Sequence, residues 1–174
     1  MRLLGAILAG GQSRRFGSDK ALALLGGKPL IAHVADALGR QTDALLVCGR
    51  EWGGLTAASD RPGPGLGPLG GIAAALYHAA THGFDLVLTA ACDIPGLPAD
   101  LVAQLGDAPA YAVELPVIGL WPVGLGTALD DWLARSEDRS IRGWASVVGA
   151  APARLRTALP NVNTPADLAM LERS

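Results

Sequence analysis

The chain has 174 residues, with 14 Lys plus Arg against 16 Asp plus Glu, a formal net charge of −2. Half of the residues are hydrophobic, so one domain with a sizeable core is expected and a disordered chain is excluded. The near-neutral balance argues against nucleic acid or anionic lipid as a partner, although Arg14 and Arg15 cluster locally.

Residues 3–8 read as a buried strand, a short apolar run stopped by Gly10-Gly11. A polar loop follows to Asp19. Pro29 opens a helix through about Leu38, with Leu30, Ile31, Val34 and Leu38 on one face. Strands are expected at 43–48 and, shorter, around 55–59. The glycine- and proline-rich stretch 61–71 is a loop feeding a helix from about Gly71 to His82, and 85–91 is a further buried strand ending at Cys92-Asp93. A strand near 117–121 and helices near 125–135 and 139–148 follow. A last helix starts after Thr164-Pro165, with Thr164 as N-cap and Asp167 at capping-box spacing. The alternation predicts an open, mainly parallel α/β sheet. Ligands of such sheets sit outside the carboxyl ends of the strands, so the loops at 9–19 and 92–98 should open onto one edge.

The two cysteines, Cys48 and Cys92, lack zinc-ligand or disulfide-scaffold spacing. No stretch is long and apolar enough to span a bilayer, and the apolar N-terminus reads as a first strand rather than a signal peptide. A cytoplasmic protein without a membrane partner is expected.

Four segments could carry chemistry. In Leu8 to Lys20, adjacent Gly10 and Gly11 let the backbone approach a ligand. Exposed amides there form an anion nest, and Arg14, Arg15 and Lys20 supply charge for a triphosphate. The spacing fits neither a P-loop nor the dinucleotide fingerprint. Asp93 closes a buried strand in Cys92-Asp93-Ile94-Pro95. Alone it reads as a turn cap before Pro95. Beside the first loop it reads as a Mg²⁺ ligand, because Mg²⁺ needs only one or two protein carboxylates. Gly65 to Gly71 could admit a flat ligand at a helix N-terminus, or simply make a turn. Asn161 and Asn163, two apart, could face a heterocycle, but an Asx turn and helix cap explains them first. His78 and His82 lack the zinc-hydrolase pattern and read as a solvated helix face. Ser13 has no partner placed to activate it. Cys92 reads as a small buried apolar residue, and Trp121, Trp132 and Trp144 as packing.

The segments LAGGQSRRFGSDKAL, LGPLGGI, CDIP, GLWPV and NVNTPADL, in this order from Leu8 to Leu168, resemble the molybdenum cofactor guanylyltransferases. The resemblance implies a single-domain Rossmann-like α/β nucleotidyltransferase fold spanning 1–174. About 1–106 would bind the nucleotide and about 107–174 the acceptor. It implies transfer of GMP from GTP to the terminal phosphate of molybdopterin with Mg²⁺, releasing pyrophosphate. Leu8, Ala9, Gly10 and Gly11 would hold the guanine nucleotide. Arg15 and Lys20 would contact its phosphates, Asp60 would lie in the nucleotide site, and Asp93 would bind the metal. Gly67, Gly71, Arg139, Asn161 and Asn163 would shape the molybdopterin side. Contact with molybdenum-insertion proteins or molybdoenzyme chaperones is implied by the family alone.

Two positions depart from the pattern. Cys48 stands where relatives often have Asn, and segment 107–118 is shorter than usual. The alternatives are a molybdopterin cytidylyltransferase, a sugar-1-phosphate nucleotidyltransferase and a non-catalytic nucleotide-binding module. The Leu-Ala-Gly-Gly start disfavours the first, chain length the second, and the presence of both Lys20 and Asp93 the third.

Overall fold

The computed structural model describes residues 1–11 and 19–174. The chain runs β1 (Leu3–Leu8), a 3-10 turn (Lys20–Leu22), the hairpin β2 (Leu24–Leu25) and β3 (Lys28–Pro29), α1 (Leu30–Gly39), β4 (Ala44–Cys48) and β5 (Thr56–Ala58). It continues through α2 (Pro68–Thr81), β6 (Leu86–Ala91), α3 (Leu101–Leu105), β7 (Ala110–Ala112) and β8 (Gly119–Pro122). The last part holds a second 3-10 turn (Val123–Leu125), α4 (Gly126–Arg135), α5 (Ile141–Val147), β9 (Ala151–Ala153) and α6 (Pro165–Glu172).

One seven-stranded sheet has the order β5-β4-β1-β6-β8-β7-β9. Within it β8 alone runs against the others, pairing antiparallel with both β6 and β7. The mainly parallel α/β fold expected from the alternation is therefore present. Strand order reverses around β1: the chain moves out to β4 and β5, then crosses back over α2 to β6. This reversal opens a crevice at the carboxyl ends of β1, β4 and β6.

Both faces of the sheet are covered, which explains the unbroken apolar runs of the central strands. Successive side chains of a strand point to opposite faces. Leu4, Ala6 and Leu8 accordingly join a core with Leu46, Cys48 and the buried side of α2, closed by Trp121, Leu129 and Trp144. Ile7 and Ala9 join the opposite core with Ile31, Val34, Leu38, Val47 and Leu101. Trp121 and Trp144 are fully buried, as their packing role requires. The one buried polar side chain among the described residues, Thr89, accepts a hydrogen bond from Trp121 Nε1 (3.1 Å) and donates to the Val117 carbonyl (2.8 Å). That link holds the segment leading into β8 against β6.

The outcome differs from the sequence expectation in short elements, the β2–β3 hairpin, the two 3-10 turns, α3, β7 and β9, and in the start of α2. Helix α2 begins at Pro68, three residues before Gly71, with proline in its first turn, where a missing amide hydrogen costs nothing. His78 and His82 lie near its carboxyl end. Their rings stack at 3.9 Å, and burial followed by the neighbouring ring holds His78 below the usual imidazole range. No helix of the described residues is long and apolar enough to cross a membrane.

Candidate active site

A cavity of about 570 Å³ occupies the crevice at the strand ends. Leu8, Ala9, Gly10, Gly11, Lys20, Asp60, Gly67, Gly71 and Asp93 all line it. The two loops expected on one edge thus meet there. Arg15, with Arg14 and Ser13, lies outside the described residues. Arg139 and Asn161 are not among the lining residues. Arg139 donates to the Ser136 carbonyl in the link between α4 and α5, and Asn161 is exposed.

The adjacent glycines do different jobs. A Cβ on Gly10 would stand 3.1 Å from Asp60 Oδ2 and 3.4 Å from Gly49 Cα, whereas one on Gly11 would meet nothing within 4 Å. Gly10 therefore permits two protein segments to touch, and Gly11 faces open space. The partner of Gly10 is more constrained still. Gly49 has φ +92°, and its Cβ would lie 2.7 Å from the Gly10 amide nitrogen. Since Ala9 N donates to Cys48 O (2.9 Å), neither backbone can retreat without breaking this link between the β1 and β4 ends. Gly49→Ala is expected to cost ~1–3 kcal/mol from backbone conformation alone, with the clash adding to it. A urea midpoint unchanged from the parent protein would contradict this packing.

Helix α2 approaches the same point. A Cβ on Gly71 would fall 2.9 Å from Leu8 Cδ2 and 3.4 Å from Cys48 Cβ. This glycine lets the helix lie directly on the strand ends, while Gly67 (φ +62°) turns the chain into the helix with open space beside it. The closeness buries part of Asp60. Its Oδ1 is buried without a hydrogen-bond partner, and burial pushes its carboxyl above the ordinary range. Cys48 is also buried, and desolvation, with Asp60 adding to it, pushes its thiol up to about 12. Cys92 is pushed up to about 12 as well, by burial first and the Asp93 charge second. Neither thiol is a nucleophile at neutral pH.

The charged centre is Lys20 with Asp93. Lys20 Nζ lies 2.6 Å from Asp93 Oδ2, and their side chains are 19% and 13% exposed. Lys20 also donates to Asn163 Oδ1 at 3.3 Å. Three distant segments meet here. Lys20 stands on a 3-10 turn anchored by buried Ala21. Asp93 follows β6. Asn163 arrives just before α6, where Val162 N approaches Asp93 O (3.4 Å). The capping box is formed as expected: Asp167 N donates to Thr164 Oγ1 (3.2 Å), and Asp167 Oδ2 accepts from the Asn163 and Thr164 amides (2.9 Å each). These amide bonds hold the Asp167 carboxyl below its usual range. With the cap supplied by Thr164, the Asn163 side chain is left to hydrogen-bond Lys20.

Two charged lining residues carry no assignment from the sequence, Asp19 and Arg50. Their guanidinium–carboxylate pair is bidentate, at 2.8 and 2.6 Å. They are 31 positions apart, and no spacing rule connects them.

A mainly parallel sheet with a strand-order reversal, a glycine-lined crevice and a lysine–carboxylate pair at its strand ends marks an α/β protein with its ligand site in that crevice. Residues 5–157 match the family of MobA-like NTP transferase domains. The chain is 40% identical to a molybdenum cofactor guanylyltransferase of Cereibacter sphaeroides, over 99% of this chain and 96% of that one. It is 41% identical to one of Rhodobacter capsulatus, with the same two coverages. The fold superposes on the crystal structure of the molybdopterin-guanine dinucleotide biosynthesis protein A of Archaeoglobus fulgidus with a TM-score of 0.74. That match has 21% identity and covers 98% of this chain and 97% of the other. The chain belongs to the family of MobA-like NTP transferase domains and is a nucleotidyltransferase.

Proposed function

We propose that this nucleotidyltransferase transfers GMP from GTP to molybdopterin, giving the guanine dinucleotide form of the cofactor and pyrophosphate. The observation that carries the choice of base is Asp60. Asp60 lines the cavity, its Oδ1 is buried without a hydrogen-bond partner, and an unsatisfied buried acceptor is costly. Guanine offers two adjacent donors, N1–H and the exocyclic amine, to one carboxylate. Cytosine offers a single amino group. The near-full-length similarity to molybdenum cofactor guanylyltransferases supports the same acceptor here.

In the transfer, a terminal phosphate oxygen of molybdopterin forms a bond to the α-phosphorus as the bond to the β-phosphate oxygen breaks. The attacking group is already an anion, so positioning and charge neutralisation suffice. Gly11, with open space beside it, lets backbone come close to the nucleotide, Gly10 keeps the β1 end against Asp60 and Gly49, and Lys20, with Arg15, neutralises the phosphates. Asp93 is a hard oxygen donor in the cavity wall, and no group of three or more metal-binding side chains stands together among the described residues. One carboxylate, with the remaining places filled by phosphate oxygens and water, fits Mg²⁺. Asp93 would hold the Mg²⁺, which would supply charge neutralisation at the reacting phosphates. Lys20 must then release Asp93 and turn to the phosphates, and its bond to Asn163 can persist as it does so.

On the acceptor side, Gly67 and Gly71 lie in the cavity wall and Asn163 reaches it through Lys20. We assign Arg139 and Asn161 to the part of molybdopterin that projects beyond the cavity. Residues about 1–106 serve mainly the nucleotide and about 107–174 the acceptor, with Gly67 and Gly71 from the first part and Val117 and Asn163 from the second crossing that division. A cytoplasmic location, and delivery of the product through molybdenum-insertion proteins or molybdoenzyme chaperones, belong to the same reading.

Asp60→Asn tests the base assignment. A hydrogen bond to a charged group contributes ~1.5–3 kcal/mol, so GTP should bind about 10- to 100-fold more weakly. The preference for GTP over inosine triphosphate, which lacks the exocyclic amine, should disappear. The ionised carboxylate is the binding form. Because burial raises its titration, affinity in the parent protein should begin to fall at a higher pH than an ordinary carboxyl near 3.8 would give. An unchanged GTP dissociation constant in Asp60→Asn would overturn the assignment.

A further inference from the structure

Arg50 follows the end of β4, and Asp19 stands at the carboxyl end of the loop that leaves β1. Both guanidinium terminal nitrogens of Arg50 are committed to the two Asp19 oxygens. The pairing shows in the titration of both groups. Hydrogen bonding to Arg50 holds the Asp19 carboxyl below its usual range, and the bond to Asp19 raises the guanidinium. Asp19 has a second task. Its Oδ1 accepts from the Ala21 amide (3.2 Å) and caps the 3-10 turn that carries Lys20.

Stability alone is a poor reason for such a pair. The two side chains are 26% and 41% exposed, and ion pairs of this exposure contribute ~0–1 kcal/mol. Arg50 Nε is meanwhile buried without a partner, which opposes the gain. What the pair does provide is geometry. Two parallel N–H···O bonds fix distance and plane together, and they join the loop end to the strand end across the mouth of the cavity both residues line.

We propose that Arg50 is a positioning residue for phosphate binding. Gripping Asp19, it fixes the turn at Lys20 against the β4 end and so sets where the Lys20 ammonium stands in the cavity. This rests on the reading of the cavity as a nucleotide site. Arg50 acts through Asp19 and touches no phosphate itself.

The test is a double-mutant cycle with Arg50→Ala, Asp19→Asn and both together. It is read by GTP dissociation constant, kcat at saturating GTP and thermal midpoint. Asp19→Asn keeps the oxygen that caps the turn and removes the charge. Each single variant should weaken GTP about tenfold and lower kcat as well, because the misplaced Lys20 serves both binding and transfer, while the thermal midpoint stays close to the parent's. The double variant should be no weaker than about twice the worse single, because both changes break one link. Arg50→Lys, which keeps the charge and gives up the two-bond grip, should fall between parent and Arg50→Ala. Additive losses approaching a hundredfold would mean that Arg50 contacts the nucleotide directly. Lowered thermal midpoints with unchanged GTP affinity would reduce the pair to a structural link. Either result overturns the proposal while leaving the nucleotide site in place. Failure of the parent protein to bind any triphosphate would instead remove the site reading, and this inference with it.

Discussion

Asp93→Asn should fold and yet turn over roughly 10²–10³-fold more slowly, the usual cost of losing one well-placed electrostatic group at a reacting phosphoryl centre. The change is nearly isosteric, and the contact from Val162 N goes to the Asp93 backbone carbonyl, so the local chain path is unaffected. The ion pair lost is with a lysine that keeps its bond to Asn163, and the thermal midpoint should move little. Binding separates a metal ligand from a mere partner of Lys20. Asp93 neutralises Lys20 in the structure, so removing its charge should leave GTP binding without Mg²⁺ as tight as in the parent protein or tighter. Mg²⁺ should no longer strengthen it. Near-parental turnover would end the role of Asp93 as metal ligand.

Lys20→Ala should lose turnover to a similar extent, roughly 10²–10³-fold, but with the opposite binding signature. The ammonium lines the cavity beside Asp93 and Asn163, and the proposed transfer assigns it to the phosphates. Its loss should weaken GTP both with and without Mg²⁺. Lys20→Arg should recover only part of the loss, because a planar guanidinium cannot place a point charge between Asp93 and Asn163 as an ammonium does. GTP affinity equal to the parent's in Lys20→Ala would contradict the phosphate assignment.

Elements with enough residues to show a period were readable in the sequence. The unbroken apolar runs of β1, β4 and β6 mark strands covered on both faces, and α1 shows its buried stripe. The start of α6 is spelled out by Thr164, Pro165 and Asp167. The missed elements are two to five residues long. β7 (Ala-Tyr-Ala) and β9 (Ala-Pro-Ala) have no alternation to detect, and they are strands because β8 and each other supply their hydrogen bonds. The start of α2 was hidden for a related reason. Gly70 and Gly71 look like loop residues, but they lie inside the helix, where close approach to Asp60, Leu8 and Cys48 outweighs their poor helix propensity.

The site divides in the same way. Residues on contiguous motifs, the glycines after β1 and Asp93 after β6, could be read from order alone, since strand ends of a parallel sheet converge. Asp60 came from resemblance; its physical signal, an unpartnered oxygen, exists only once Gly10 and α2 close around it. Asp19 and Arg50 gave no sequence signal, because their meeting depends on how the end of β4 faces the loop from β1. Asn163 carried a misleading signal. It looks like a cap, yet Thr164 does the capping and frees it for Lys20.

Selection of GTP by this cavity and passage of its GMP to molybdopterin can be measured together. The most direct measurement is binding of GTP, CTP and ATP to the purified protein with Mg²⁺, followed by product analysis with molybdopterin. Selective GTP binding, with release of pyrophosphate and formation of the guanine dinucleotide only when Mg²⁺ and acceptor are both present, is the predicted result. Selective use of CTP, or GTP binding without any transfer to molybdopterin, would contradict it.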